Sequence, residues 1–436
     1  MNPGKTESVC PVCLRRIPAE RVPRGEDIHL EKTCPEHGFF SAVVWRGGSG
    51  AEFGKWRSYV PQETGVPSGC PGSCGLCENH LNKTCCALVE ITRRCDLRCP
   101  VCFAESGGGG REPGVGELFE IFKKLADAGN TFVQLSGGEP AVRDDLPEII
   151  AAARRAGCKT VQLNSNGIRL GREPEFARAL SEAGLSFVFL QFDGMSDDTY
   201  AKLRNIRLIT EKLKAIEVCD RFNLGVTLVP TLVPGVNDGE IGDIIDFAVK
   251  RSPAVRGVHF QPISYFGRYP APPGDGDRIT LPEVLRAVET QTGGKFKIRD
   301  FNPSSCDHPC CGFHGDFVVL PRGKIMKLTK KYNPDACCAD DAHLKNRSFV
   351  ARRWTRPVIG ADADTSAPPG EKSDYCDMSA FLSRVKSHGF TISAMAFQDA
   401  WTLDLERLRR CSLHVSDGAS VTPFCARYIT KAAPTP

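Results

Sequence analysis

Between residues 87 and 265 the chain alternates two patterns of apolar and polar positions. Short runs rich in β-branched and aromatic residues at 87–92, 131–135, 160–163, 187–191, 224–229 and 257–262 read as strands. Between them apolar residues recur every three or four positions, which predicts helices over 115–128, 146–156, 173–183, 198–218 and 240–251. The clearest of these carries Leu118, Phe122 and Leu125 on one face. Six strands, each joined to the next by a helix, predict an α/β fold with a parallel sheet curled into a partial (β/α)6, TIM-like barrel over 87–267. Chemistry in such a barrel belongs at the C-terminal ends of the strands.

Outside the barrel the pattern changes. Residues 1–60 hold short alternating runs at 27–30 and 39–45 around cysteine pairs, which predicts a small N-terminal metal-binding knuckle of rubredoxin or zinc-ribbon type. Residues 61–86 form a Pro- and Gly-punctuated loop segment, 268–278 are a linker by composition, and 279–430 have weak periodicity and many cysteines. That last stretch is expected to form a cysteine-rich C-terminal domain capping the barrel mouth. Residues 360–373 read as a second polar loop, and the last six should be frayed.

Composition changes the picture at one point only. A net charge of +4 spread over 436 residues offers no basic field for nucleic acid or anionic membrane. The cysteine count of 21 is odd, and most of these residues are grouped. No stretch approaches 18 apolar residues and the start lacks an apolar signal region. The expectation is a cytoplasmic protein whose thiols are committed to metals. Peripheral contact with a membrane stays compatible with this.

The densest chemistry follows the first strand. Cys95, Cys99 and Cys102 stand in a C-x3-C-x2-C spacing. Three thiolates in one tight loop can hold three corners of a 4Fe–4S cluster, leaving the fourth iron open. After the second strand comes Ser136-Gly137-Gly138-Glu139-Pro140; after the third, Asn164-Ser165-Asn166-Gly167; after the fourth, Gln191-Phe192-Asp193-Gly194. Arg204 follows on the next helix. Glycines let a backbone approach a ligand closely. Together these motifs resemble the radical SAM superfamily. The resemblance implies a partial barrel, an open iron that chelates S-adenosylmethionine, and its one-electron cleavage to methionine and a 5′-deoxyadenosyl radical. It further implies that Gly137, Gly138, Glu139, Pro140, Asn164, Ser165, Gln191, Asp193 and Arg204 surround that cofactor. Glu139 would accept from its ammonium and Arg204 would meet its carboxylate. Such an enzyme draws electrons from an external reductant such as ferredoxin or flavodoxin.

Other cysteines read as further metal ligands. Cys10, Cys13 and Cys34 suit tetrahedral zinc or a single iron, with the fourth ligand either His37, by spacing, or a cysteine from elsewhere. Cys70, Cys74 and Cys77 repeat the C-x3-C-x2-C spacing, and Cys306, Cys310, Cys311, Cys411 and Cys425 form a C-terminal group; one or two auxiliary 4Fe–4S clusters are expected on these sets. Cys337, Cys338 and Cys376 are weaker candidates. Cys158, Cys219 and His259 read as core residues. Phe296 follows Gly-Gly-Lys where a phosphate-binding loop needs Ser or Thr.

The runs CPVCFAE, LSGGEP, LQFDG, LVPTLVPGVND and VRGVHFQPIS, with the tail 397–411 and Pro423-Phe424-Cys425, are similar to one narrower group, that of the tetraether lipid synthases and dihydropterin methyltransferase-like proteins. That likeness implies a mononuclear thiolate-bound metal beside several 4Fe–4S clusters. It departs at 106–110, at Arg204-Asn205 and over 330–376. The leading expectation is an enzyme that abstracts hydrogen from an unactivated C–H bond and forms a carbon–carbon bond on an apolar lipid chain. The alternatives are a radical SAM methyltransferase acting on a pterin-like small molecule and a non-catalytic iron–sulfur electron-transfer protein. The first two differ in cavity: long and apolar for lipid, compact and polar for pterin.

Overall fold

The computed structural model describes residues 1–48, 50–57, 70–71, 76, 80–109, 111–332, 341–357 and 378–429. Cys74, Cys77, Cys337, Cys338, Cys376, the 360–373 loop and the last six residues lie outside them.

Four antiparallel strands open the chain in consecutive order: β1 (Gly4–Val9), β2 (Arg16–Arg24), β3 (Asp27–Cys34) and β4 (Gly38–Trp45). The barrel strands follow: β5 (Cys86–Thr92), β6 (Phe132–Gly137), β7 (Thr160–Ser165), β8 (Phe187–Gln191), β9 (Gly225–Val229), the short β10 (Thr231–Leu232) and β11 (Val255–Pro262). After them come β12 (Asn302–Pro303), β13 (Gly312–Val319), β14 (Ile325–Lys327), β15 (Gly389–Met395), β16 (Leu413–Ser416) and β17 (Val421–Pro423). The six predicted strands are all present and pair in parallel in the order β5-β6-β7-β8-β9-β11.

Why the sheet curls is visible in its alternation. Val133, Leu135, Val161, Leu163, Val188, Leu190, Val226 and Leu228 point outward and are fully covered by the surrounding helices. The intervening residues face the lumen. The helix Val115–Asp127 buries Leu118, Phe122 and Leu125, the stripe its spacing predicted. One predicted helix is divided. Asn205 adopts φ 60°, in the left-handed region, so Asp197–Arg204 and Ile209–Arg221 are separate helices. The break leaves Arg204 in a last turn beside the strand ends.

The C-terminal stretch continues the barrel's own sheet. β15 pairs in parallel with β11 at one edge, and β16 pairs in parallel with β5 at the other. Eight parallel strands result, flanked by antiparallel β13 and β17. Gly257 permits the β11–β15 pairing, because a side chain there would put its first carbon 2.2 Å from the Thr391 carbonyl oxygen. The segment 268–278 also does more than link: Arg268 and Cys102 exchange backbone hydrogen bonds of 2.9 and 3.0 Å.

The knuckle is tied to the C-terminal stretch through buried polar contacts. The Lys32 ammonium donates to Ser8 Oγ (2.8 Å) and to the carbonyls of Ala400 (2.8 Å) and Trp401 (2.9 Å). Burial pushes it down to about 7. Arg21 pairs with Asp404 and Glu406. Among the described residues, no helix is long and apolar enough to cross a membrane.

Candidate active site and metal knuckle

The loop after β5 is held from three sides. Gly138 and Glu139 donate their backbone N–H groups to the carbonyls of Thr92 and Arg94, each at 2.8 Å. A side chain on Gly138 would place its first carbon 2.0 Å from the Arg94 oxygen, and one on Gly137, at φ +123°, 2.1 Å from the Thr92 oxygen. The two glycines are therefore required by the cysteine loop itself. On a second side the Arg268 guanidinium donates to the carbonyls of Cys99 (2.9 Å) and Ser106 (3.1 Å). On a third, Asn166 Nδ2 reaches Asp96 at 2.7 Å and Asn205 Nδ2 reaches the Arg98 carbonyl at 3.0 Å.

So fixed, Cys95, Cys99 and Cys102 line one cavity of about 320 Å³. Gly137, Gly138, Glu139, Asn164, Ser165, Gln191 and Arg204 line the same end. The other end is lined by Cys85, Cys86, Cys306, Asp307 and Asn346. Since Cys86 begins β5 and Cys95 follows its end, the cavity runs the length of the barrel lumen. Between the ends the wall carries Gln134, Gln162, Gln261 and His259, with Phe189 and Trp354. Gln162 Nε2 donates to Asn164 Oδ1 at 2.9 Å. The His259 ring stacks on Phe189 at 5.5 Å and meets Ser393 Oγ through Nδ1 at 2.9 Å. Burial lowers it to about 4, so it is neutral.

Charge at the mouth is tightly arranged. Burial pushes the Glu139 carboxyl up to about 7, against hydrogen bonds from the Asn166 and Ala141 N–H groups and the Ser165 hydroxyl. Arg204 grips Asp193 through two bonds of 2.7 and 2.6 Å. Burial disfavours its charge, but Asp193 outweighs that and holds it charged. Burial pushes the Cys95 thiol up to about 12. Among the cofactor-surrounding residues expected from sequence, Asp193 and Pro140 do not line the cavity: Asp193 stands behind Arg204, and Pro140 begins a buried turn.

In the knuckle, the β1–β2 turn brings Cys10 and Cys13 against Cys34 and His37 from the β3–β4 turn. All four ligand atoms lie within 4.8 Å of one another. Cys13 and Cys34 sulfurs are 4.0 Å apart, and His37 Nδ1 is 3.4 Å from Cys34 and 3.7 Å from Cys10. A tetrahedron with metal–sulfur arms of 2.3 Å has edges of about 3.8 Å, so the four donors fit one ion with no position left over.

Residues 89–248 match the family model of the Radical SAM superfamily, and residues 3–46 match that of the HMPTM N-terminal zinc ribbon domain. The chain is 34% identical to the 7,8-dihydro-6-hydroxymethylpterin dimethyltransferase of Methanocaldococcus jannaschii, over 97% of this chain and 92% of that one. It belongs to the radical SAM superfamily. It is also 28% identical to the GTP 3',8-cyclase of Clostridium acetobutylicum, over 50% of this chain and 73% of that one. Among solved structures, Streptococcus suis SuiB bound to S-adenosylmethionine aligns over 62% of this chain and 69% of that chain, at 15% identity and a TM-score of 0.39.

As a radical SAM enzyme the chain uses S-adenosylmethionine, a 4Fe–4S cluster and a reductant. The donor set at the mouth fits such a cluster: three free thiols open onto one cavity, and the Leu97 N–H donates to the Cys95 sulfur at 3.4 Å. The remaining cysteines divide. Cys311 accepts from Arg407 at 3.5 Å and Cys425 accepts from the Gln398 N–H at 3.3 Å. Burial first, then the nearby Asp307 and after it Cys425 and Cys311, push the Cys411 thiol well up. Cys70 shares an apolar cluster with Cys425. Cys310 instead faces the Trp56 carbonyl at 3.8 Å. Cys306 turns into the lumen, where it meets Cys85.

Sequence reasoning passed over the lumen. His259, read as a core residue, is part of the cavity wall, and Gln134, Gln162 and Gln261 were not singled out. A signal existed: each sits one position from an outward apolar residue of a predicted strand, where a packed barrel would place a bulky hydrocarbon.

Proposed function

We propose that this radical SAM enzyme is a methyltransferase acting on a pterin-like small molecule. The observation that carries this reading is the cavity: about 320 Å³, within the barrel lumen, with amide side chains at Gln134, Gln162, Asn164, Gln191 and Gln261 around its wall. Amides offer paired donors and acceptors to the edge of a fused nitrogen heterocycle, and Phe189 and Trp354 offer faces on which it can stack. An alkyl chain could hydrogen-bond to none of them, and each buried amide atom it left without a partner would cost about 1–3 kcal/mol. The pterin named for the Methanocaldococcus jannaschii relative points the same way. Apolar wall residues such as Leu88, Phe132, Val229 and Val350 would also accept an alkyl chain, so it is the amides together with the pterin-acting relative that favour a pterin over a lipid.

In this reading Cys95, Cys99 and Cys102 hold the cluster. Gly137, Gly138, Glu139, Asn164, Ser165 and Gln191 surround S-adenosylmethionine, with Arg204 beside Cys99 and oriented by Asp193. What the two cofactors supply together is an electron and, from it, a 5′-deoxyadenosyl radical. The buried wall excludes water from that radical. Cys10, Cys13, Cys34 and His37 hold zinc as a structural ion. Cys70, Cys311, Cys411 and Cys425 are candidates for an auxiliary cluster. The many free thiols suit a reducing cytoplasm.

The test is an anaerobic incubation of the reconstituted, reduced protein with S-adenosylmethionine and either a dihydropterin or membrane lipid with deuterated alkyl chains. The expected result is a pterin heavier by one or more methyl groups, with no deuterium from lipid in 5′-deoxyadenosine. Deuterium transfer from lipid, with unchanged pterin, would restore the lipid reading.

A further inference from the structure

At the floor of the lumen, opposite the catalytic loop, two thiols share one amide donor. Cys85 immediately precedes β5, and Cys306 comes from the segment between β12 and β13. Both are 5% exposed, both are free, and both line the cavity. They are built into place. Asn346 Nδ2 donates to the Cys85 sulfur at 3.3 Å and to the Cys306 sulfur at 3.0 Å. The Ser412 hydroxyl donates to Cys306 at 3.2 Å. The Cys306 S–H in turn points at Asp307 Oδ2, 3.6 Å away, and the other oxygen of that carboxylate is anchored by the Ser412 N–H at 2.7 Å.

We propose that Cys306 is the hydrogen-atom donor that quenches the substrate radical, with Cys85 as its sulfur partner. The inference rests on the methyltransferase reading. The 5′-deoxyadenosyl radical takes a hydrogen atom from the methyl group of a second S-adenosylmethionine; the carbon radical so formed adds to the unsaturated ring and leaves a radical there, which gains one hydrogen atom. Hydrogen abstraction is initiated at the mouth; the thiols face the opposite side of anything lying in the lumen. The Cys306 S–H bond breaks and a C–H bond forms, leaving a thiyl radical on Cys306. Its unpaired electron is shared with the Cys85 thiolate in an S–S contact, as a disulfide radical anion. One electron from the external ferredoxin- or flavodoxin-class reductant, and one proton through Asp307, restore the thiol and thiolate. Each turnover thus takes one electron and one proton for the quench. Asn346 holds both sulfurs throughout.

The experiment has two arms on the full-length, reconstituted protein. The first needs no substrate: oxidation with diamide, then peptide mapping, with iron counted in wild type, Cys306→Ser and Cys85→Ser. The expected result is a Cys85–Cys306 cross-link in wild type and equal iron in all three. Iron lost in either serine variant that keeps its wild-type circular dichroism would make the pair metal ligands and overturn the proposal. The second arm runs the pterin reaction in D2O. Wild type should place one solvent deuterium on the ring carbon quenched, because a thiol proton exchanges. Cys306→Ser should still form 5′-deoxyadenosine but lose at least tenfold in methylated product per 5′-deoxyadenosine, and Cys85→Ser less. Product without solvent deuterium, or full coupling in Cys306→Ser, sinks the donor role. Wild type that cleaves S-adenosylmethionine yet never methylates pterin sinks the methyltransferase reading instead, and the first arm still decides whether the pair is a dithiol or a metal site.

Discussion

The knuckle and the loop after β5 both gather cysteines at short spacing, and they end as opposite kinds of site. In the knuckle, four donors from two turns of one small sheet close on a single point. Nothing is left for a substrate, and the surrounding bonds tie the unit to the 397–411 stretch. In the loop, three thiols face a cavity, and among the described residues the neighbouring strand ends supply no fourth sulfur there. A closed donor set holds a fold; an incomplete one beside a lined cavity performs chemistry. The spacing C-x2-C with C-x2-H against C-x3-C-x2-C is the whole difference in sequence, and the structure shows what each spacing is anchored to.

The comparison can be broken at its strongest point by replacing Cys95, Cys99 and Cys102 with alanine. Cleavage of S-adenosylmethionine, read as 5′-deoxyadenosine by chromatography, should fall to background while the knuckle keeps its ion. Residual cleavage at a tenth of wild type would end the loop assignment. Next comes Gly138→Ala. Its new carbon meets the Arg94 carbonyl at 2.0 Å, so the loop must move. A displacement of about 1 Å costs on the order of a hundredfold in rate. Cleavage within threefold of wild type would show that the loop does not depend on this contact.

The knuckle should answer differently. Cys10→Ala with Cys13→Ala should release one metal ion and destabilise the protein by on the order of 4 kcal/mol, the scale of a lost metal site. Cleavage per folded molecule should change little. If cleavage vanished while the melting temperature stayed put, the contrast between the two sites would be void. The smallest effect concerns pH. Burial raises Glu139 to about 7, so its neutral form is favoured in the fold. Its contribution to stability is full below the ordinary glutamate range and is lost as pH rises through about 7. The carboxylate that attracts the ammonium of S-adenosylmethionine forms over the same rise. Affinity for S-adenosylmethionine, measured by equilibrium dialysis, should therefore improve from pH 6 to 8, and Glu139→Gln should flatten that slope. An unchanged slope in the variant would assign it to another group.

The six barrel strands were legible because two-residue alternation and intervening helical stripes agree with one another over a long stretch. The three-thiol loop stood out because its C-x3-C-x2-C spacing directly follows a strand end. Other features depended on distance. β16 has four residues, too few for a period to show, and it reads as a strand only beside β5. Cys306 looked like a companion of Cys310 and Cys311 by proximity in sequence. Its sulfur instead accepts from the Asn346 amide, which also donates to Cys85, because the short turn at Pro309–Cys311 sends its neighbours elsewhere. The helix break at Asn205 escaped a pattern built on side-chain polarity, since a left-handed backbone leaves apolar spacing intact. The fourth knuckle ligand was left open by spacing alone, and the β3–β4 turn brings His37 to it.

The parallel pairing of β16 with β5 has a consequence for how the molecule is made. β5 is complete at Thr92, but the strand that covers its edge begins at Leu413. At ribosomal speeds of roughly 5–20 residues per second, that edge waits on the order of tens of seconds for its neighbour. During that interval it exposes unpaired backbone donors and acceptors beside the reactive cysteine loop, an invitation to pair with another nascent chain. Overproduction faster than iron delivery should therefore favour inclusion bodies, and slower synthesis at low temperature should favour soluble protein.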